Sequence, residues 1–342
     1  MESGAGVSID ASLAAPVSPH SRVDDALEAA DLIERIVTNV ARVLQGNDEA
    51  IRLSVACLVA GGHLLIEDVP GVGKTSLGKA LSASVSCRHH RIQFTSDLLP
   101  SDVTGVSVFD AANTSFEFRP GPIFANIVLG DEINRTPPKT QSALLESMEE
   151  RQVTVDGVTY PLPDPFMVIA TQNPIEHEGT FPLPASQLDR FLLRIQVGYP
   201  DSESEATMLD IHGVQEPLEI LQPVATPEDV VALAARARTV HTSPLIQRYI
   251  VQMANATRAH PAVRLGMSPR AALALQRAAR AWAVIKGRDF VTPDDVKAMA
   301  PSVVCHRLQL RAEAARGRDP IRAVLDEVLH QVPVPELSAE RR

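Results

Sequence analysis

The segment Asp68-Val69-Pro70-Gly71-Val72-Gly73-Lys74-Thr75, set between the apolar run His63 to Ile66 and a helix-like stretch opening at Ser76, constrains this chain more than any other. A strand that turns through glycines into a helix aims backbone N–H groups and the positive end of a helix dipole at one point, where an anion binds. Gly71 and Gly73 let the backbone close, Lys74 can reach β and γ phosphate oxygens, and the Thr75 hydroxyl can ligate Mg²⁺. The segment therefore reads as a phosphate-binding loop for ATP, with Val69, Pro70, Gly71, Val72, Gly73, Lys74, Thr75 and Ser76 as the binding residues. Asp68 stands where the usual pattern has glycine, so its carboxylate has to point away from the triphosphate.

The chain around the loop alternates short apolar runs with helix-like or turn-rich segments, the rhythm of an α/β domain with a mostly parallel sheet. Five strands are expected, at His63 to Glu67, Arg91 to Phe94, Asn126 to Gly130, Phe166 to Ala170 and Phe191 to Ile195, each apolar enough to be buried on both faces. Two hairpins interrupt the alternation. Val106, Val108, Phe116 and Phe118 flank the turn-rich stretch 110 to 115, and Val153, Val155, Val158 and Tyr160 flank Asp156-Gly157, a strong hairpin turn. Ahead of the loop, Leu27, Leu32, Ile36, Val40 and Val43 recur at helical spacing, Gly46-Asn47 ends that helix, and a second runs from Glu49 to Val59. Beyond Tyr199 strand signals stop, and Thr226-Pro227, Ser268-Pro269 and Thr292-Pro293 each combine a hydroxyl cap with proline at the first helical position. The expected organisation is a mobile tail over 1–22, a nucleotide-binding core over 23–200 and a small helical domain over 201–342, with Trp282 in its core.

Composition narrows the partners. The net charge of −10 over 342 residues gives no basic footprint for a nucleic-acid backbone, and the short cluster Arg88-His89-His90-Arg91 reads as a solvated loop. No apolar run approaches the roughly 20 residues of a membrane helix, and the start of the chain lacks the order of a signal peptide. Cys57, Cys87 and Cys305 are widely spaced, as expected of reduced, inert thiols in a cytoplasmic protein.

A second chemical motif is Ile127-Val128-Leu129-Gly130-Asp131-Glu132, a buried strand ending in two acids. Beside a phosphate loop, Asp131 can hold Mg²⁺ through water and Glu132 can polarise an attacking water, so turnover is favoured over a binding-only switch. The run Asp131 to Gln141, Glu149-Glu150, Ala170-Thr171-Gln172-Asn173-Pro174, Gln187 to Phe191 and Ser268-Pro269-Arg270 resembles the MoxR family of AAA+ ATPases, with similarity extending from about Leu44 to Arg288. The resemblance implies an α/β P-loop AAA+ core with two hairpin insertions and a small all-α lid. It also implies a sensor role for Asn173, an arginine finger at Arg190 for the neighbouring subunit's γ-phosphate, and a second sensor at Arg270 on its own or a neighbour's site. Gly46 and Asn47 fall where the family encloses adenine, and Arg135 is a candidate subunit contact. Phe109, Phe116 and Phe118 are candidate client contacts, although packing within the hairpin is the simpler reading.

The function so implied is a homo-oligomeric, hexameric ring that uses ATP to assemble or mature protein complexes or to insert metal cofactors, acting on a protein client with a von Willebrand factor A domain protein as adaptor. Two other readings stay open. One is a nucleotide-gated scaffold or regulator with slow hydrolysis; the other is a nucleic-acid-dependent motor, which the acidic charge disfavours.

Overall fold

A computed structural model describes residues 19–174, 179–212, 217–317 and 319–335. Helix α1 (Pro19–Ala41) begins inside the stretch expected to be tail, while residues 1–18 of that stretch lie outside the described residues. Its buried stripe is Ala26, Ala29, Ile33, Ile36, Val37 and Val40; Leu27, expected on that stripe, faces out at 58% exposure. A turn leads to α2 (Asp48–Val59), and the chain then enters β1 (Leu64–Glu67), the phosphate loop and α3 (Lys74–Ser84).

Next come β2 (His89–Gln93), the short α4 (Pro100–Thr104), the hairpin β3 (Gly105–Asp110) and β4 (Ser115–Pro120), and β5 (Ile127–Asp131). Helix α5 (Pro138–Glu150) leads to the hairpin β6 (Gln152–Val155) and β7 (Val158–Pro161), whose turn places Asp156 and Gly157 both at positive φ as its sequence demands. Strand β8 (Met167–Gln172), the turn α6 (Ala185–Leu188) and β9 (Leu193–Ile195) complete the core.

The five core strands form one parallel sheet in the order β2-β5-β8-β1-β9. Successive side chains alternate between its faces. Leu64, Ile66, Leu129, Ile169 and Ile195 join one apolar cluster with α1, α2 and α3, while Leu65, Val128, Val168 and Ala170 join another with Leu144, Leu145 and Met148 of α5. Burial on both faces holds for the central strands only. At the edge, β2 buries Ile92 alone, and it begins at His89, two residues before the expected start, so that His89 and His90 of the cluster read as a loop belong to the strand.

Helices α7 (Ser202–His212), α8 (Pro227–Thr239) and α9 (Pro244–Ala259), the strand β10 (Val263–Leu265), α10 (Pro269–Ile285), α11 (Pro293–Val304), the two-residue strand β11 (Gln309–Leu310) and α12 (Pro320–Gln331) follow. The predicted caps form: Thr226 and Asp229, and Thr292 and Asp295, make reciprocal capping boxes, and the Ser268 hydroxyl accepts from the Ala271 N–H. Each such cap contributes about 1 kcal/mol. One difference is the small antiparallel ribbon of β10 and β11 in a region expected to be wholly helical. Of the α10 residues expected to form the lid core, Leu275 and Val284 are buried, Leu273 faces out at 67% exposure, and Trp282 is half-buried with the Lys286 ammonium 5.2 Å from its ring centre. The helical region shares one continuous apolar cluster with α1, α2 and the sheet, so lid and core are packed together rather than strung on a linker. Cys57, Cys87 and Cys305 are buried and unpaired, and burial pushes their thiols up to about 12, 11 and 11.

Candidate active site

Four loops at the carboxyl edge of the sheet meet around the phosphate loop. Gly71 and Gly73 adopt φ of 86° and 88°, the left-handed region that a side chain resists, and this turns the chain sharply into α3. Asp68, the departure from the usual pattern, is only 9% exposed and does point away from the cradle. One of its oxygens accepts from the Val69 N–H at 2.8 Å, and the other from the N–H groups of Val197 and Gly198 at 2.8 and 2.7 Å. It thus ties the loop to the segment beyond β9. Asn47 grips the same segment, donating from Nδ2 to the carbonyls of Val197 and Gly198. Gly46 is required here by close approach, because a Cβ would lie 2.8 Å from the Ser204 hydroxyl. Gly46 and Asn47 line a cleft of about 410 Å³ with Ile195, Val197, Tyr199 and Pro301, the expected place for an adenine ring.

The Lys74 ammonium donates to the carbonyls of Asp68 and Val69 at 2.6 and 3.1 Å, so its charge already sits at the mouth of the loop. Thr75 Oγ1 lies 3.4 Å from Asp131 Oδ2. A hydroxyl and a carboxylate converging this closely are the hard oxygen donors that suit Mg²⁺, which would neutralise phosphate charge when bound. Asp131 is buried, and its two oxygens also take Thr171 Oγ1 at 3.2 Å and Arg91 Nε at 2.6 Å.

Glu132 adopts φ 58° and ψ 48°, its N–H donating to Thr171 Oγ1 at 3.0 Å. Its carboxylate is held by Gln93 Nε2 at 2.9 Å and Arg135 Nε at 3.2 Å, which leaves it anchored and partly open to water. Such a group can take a proton from water attacking the γ-phosphate. Asn173 follows β8 directly, and the pairing of Gln172 with Glu67 sets it beside the loop entrance. Sequence reasoning missed Arg91, Gln93 and Thr171. The signal was present in β2, where polar Arg91 and Gln93 alternate around apolar Ile92 and Gln93 pairs in register with Asp131.

Arg190 and Arg270 lie elsewhere. Leu193 pairs with Leu64, so the chain enters β9 at the amino edge of the sheet, opposite the loop. There Arg190 pairs with Glu149 at 3.2 Å, and Arg270, at the start of α10, pairs with the same carboxylate at 3.0 Å and with Asp189 at 3.6 Å. They line a cavity of about 260 Å³ that also holds His63, Arg151, Arg277 and Arg307. His63 is buried, donating from Nε2 to the Met148 carbonyl and accepting the Val168 N–H on Nδ1, and burial, with Arg151 and Arg277 adding to it, pushes its pKa down to about 3. Arg135, a candidate subunit contact, is turned towards Glu132.

A parallel sheet carrying a phosphate loop at one strand end, an acidic pair at the next and a capped helical lid defines an AAA+ ATPase. Residues 63–193 match the model for the ATPase family associated with various cellular activities (AAA), and residues 255–328 match the AAA lid domain. The chain is 40% identical over 316 residues to chaperone MoxR1 of Mycobacterium tuberculosis, covering 90% of this chain and 83% of that one. It is 50% identical over 304 residues to the uncharacterized protein YeaC of Bacillus subtilis, covering 89% and 95% respectively. A crystal structure of a candidate ATPase from Cytophaga hutchinsonii superposes with a TM-score of 0.85 at 37% identity, covering 93% of this chain and 99% of that one. The chain belongs to the MoxR family of AAA+ ATPases, and its activity is the hydrolysis of ATP in a chaperone-like role.

Proposed function

We propose that this protein works as a ring, a hexamer, with each ATP held between two subunits and its hydrolysis spent on remodelling a protein client in the cytoplasm. One chain would supply Lys74, Thr75, Asp131, Glu132 and Asn173 with Mg²⁺, and the next would supply Arg190 and Arg270. The observation that carries this reading is the separation of the two sets. The four residues of β1 span about 13 Å, with the phosphate loop at one end and the entry of the Arg190 segment beside the other. A fixed planar cation suits the charge that develops during phosphoryl transfer, and an arginine turned away from its own loop supports a role at a neighbour's.

The hairpins are the parts that would meet the client. Phe109 and Phe116 face each other across β3 and β4 with ring centres 5.3 Å apart, yet stay 52% and 74% exposed. Phe118 instead packs between hairpins, stacked on Tyr160 at 4.1 Å, so that both would move together. Maturation of an enzyme complex or insertion of its metal cofactor, with a von Willebrand factor A domain protein as adaptor, is the role this reading favours. A nucleotide-gated scaffold is disfavoured by the anchored Glu132, and a nucleic-acid motor by the net charge of −10.

The test is affinity capture from native lysate with ATP, comparing Glu132→Gln, which should bind ATP without hydrolysing it, with Lys74→Ala, which should lose the triphosphate. A client or adaptor enriched only by Glu132→Gln supports remodelling. Equal capture by both variants turns the assignment to a constitutive scaffold.

A further inference from the structure

Arg307 closes the short turn Cys305–Arg307 at the end of α11, in the lid, yet most of its hydrogen bonds go to the core. Its side chain is 4% exposed, and Nε donates to Asp189 Oδ1 at 2.6 Å. Nη2 donates to the carbonyls of Phe191 at 2.6 Å and Asp189 at 3.2 Å, and Nη1 donates to that of Leu192 at 3.2 Å and to that of Val303. One guanidinium therefore holds the chain on both sides of Arg190. His306 adds a bond from Nε2 to the Phe191 carbonyl at 3.1 Å, and its deep burial keeps it neutral. If Arg307 served only to cap α11, the Val303 carbonyl would be partner enough. Four of its five hydrogen bonds instead reach residues 189, 191 and 192.

We infer that Arg307 is a positioning residue that clamps the Arg190 segment to the lid, so that a lid movement driven by a subunit's own nucleotide is transmitted to the arginine it offers its neighbour. This rests on the shared-site reading of Arg190. The guanidinium is planar and carries five N–H donors in a fixed fork, so bonds to three residues leave it no rotational freedom. Sliding the segment past the turn would strip partners from a buried cation, which is costly enough that the two move as one body. The outer oxygen of Asp189 faces Arg270, and Glu149 joins Arg270 to Arg190, so the second lid arginine holds the same segment from the surface side.

The test compares Arg307→Lys, which keeps the charge but loses the fork, and Asp189→Ala, which removes the ionic contact but leaves the carbonyl bonds, with Arg190→Ala and the Asp189→Ala/Arg190→Ala pair in the full chain. Both clamp variants should bind a fluorescent ATP analogue and form rings as the parent does, with kcat lowered about tenfold and KM for ATP within about twofold. The double variant should be no slower than Arg190→Ala alone, because the clamp acts through that arginine. Hydrogen exchange at amides 189 to 193 should differ between the ATP-bound and nucleotide-free parent, and that difference should vanish in Asp189→Ala. Wild-type kcat in a folded, ring-forming Asp189→Ala, or losses that multiply with Arg190→Ala, would overturn the clamp. If Arg307→Lys does not fold, Asp189→Ala decides. Should Arg190→Ala itself turn over normally, the shared site fails, and the exchange pattern still tells whether lid and segment move together.

Discussion

The carboxyl edge of the sheet is built from short contiguous motifs, whereas the amino edge is assembled from residues scattered between His63 and Arg307. At the carboxyl edge, backbone amides and small side chains around Gly71, Gly73, Thr75 and Asp131 shape the site within a few residues of a strand end. At the amino edge, Glu149, Asp189, Arg190, Arg270 and Arg307 come from α5, the approach to β9 and two lid elements, and are joined by charge. A site of the first kind binds a ligand by itself. One of the second kind has a geometry that depends on how lid and core are packed, and under the shared-site proposal it would offer side chains to a neighbouring subunit.

Substitutions at the two edges should fail in different ways. If the shared-site proposal holds, Arg190→Ala should lower kcat about 10³-fold while ATP affinity stays near that of the parent, since the arginine would meet only the charge that builds during transfer. Lys74→Ala should lose ATP binding itself. Equilibrium binding and steady-state turnover on the same samples check this, and weakened ATP binding by a monomeric Arg190→Ala would erase the distinction between the edges.

Asp68→Ala, at the carboxyl edge, should cost about 3 kcal/mol in denaturant unfolding, because the amides of Val69, Val197 and Gly198 lose a charged acceptor. Asp68→Gly, which restores the usual loop pattern, should be no better than alanine. A stable glycine variant would mean that the carboxylate does not tie the loop to the segment beyond β9.

Acid should loosen the amino edge. The His63 pKa is pushed down to about 3, and that of His306 well below its ordinary value, so both are neutral when folded and protonate more readily when unfolded. The stability they confer is complete above the unfolded value of about 6.5 and is lost as pH falls through the window below it, by about 2 kcal/mol for His63 at pH 5 and in the same direction for His306. Unfolding of His63→Gln should show a shallower decline over that range, and an unchanged slope would place the acid sensitivity elsewhere.

How much was legible in the sequence follows the same division. Glycines, a lysine and a hydroxyl in fixed order report the phosphate loop because the physics is local, and the turn at Asp156-Gly157 and the caps at Thr226, Ser268 and Thr292 were readable for the same reason. Asp68 could be read only as pointing away, since its partners lie at residues 197 and 198. Arg91 was read both as the start of a strand and as the end of a solvated cluster, because periodicity does not tell an edge strand from a turn, and only pairing with β5 sets it against Asp131. The roles expected of Arg190 and Arg270 came from family resemblance, and only the anionic partners of Arg270 followed from its place in the first turn of α10, where a cation opposes the helix dipole. The burial of Arg307 among carbonyls of another segment has no sequence signature, because nothing near residue 307 encodes what packs over it.

The central claim is that one active site draws on both edges, from two subunits. The most direct measurement mixes Lys74→Ala with Arg190→Ala, each inactive alone, under conditions where subunits exchange, and follows phosphate release. If the site is shared, activity returns on mixing, because some interfaces pair the intact loop of an Arg190→Ala subunit with the intact arginine of a Lys74→Ala subunit. If mixed rings form, as shown by mass, and the sample stays inactive, the two edges do not serve one site and the account is wrong.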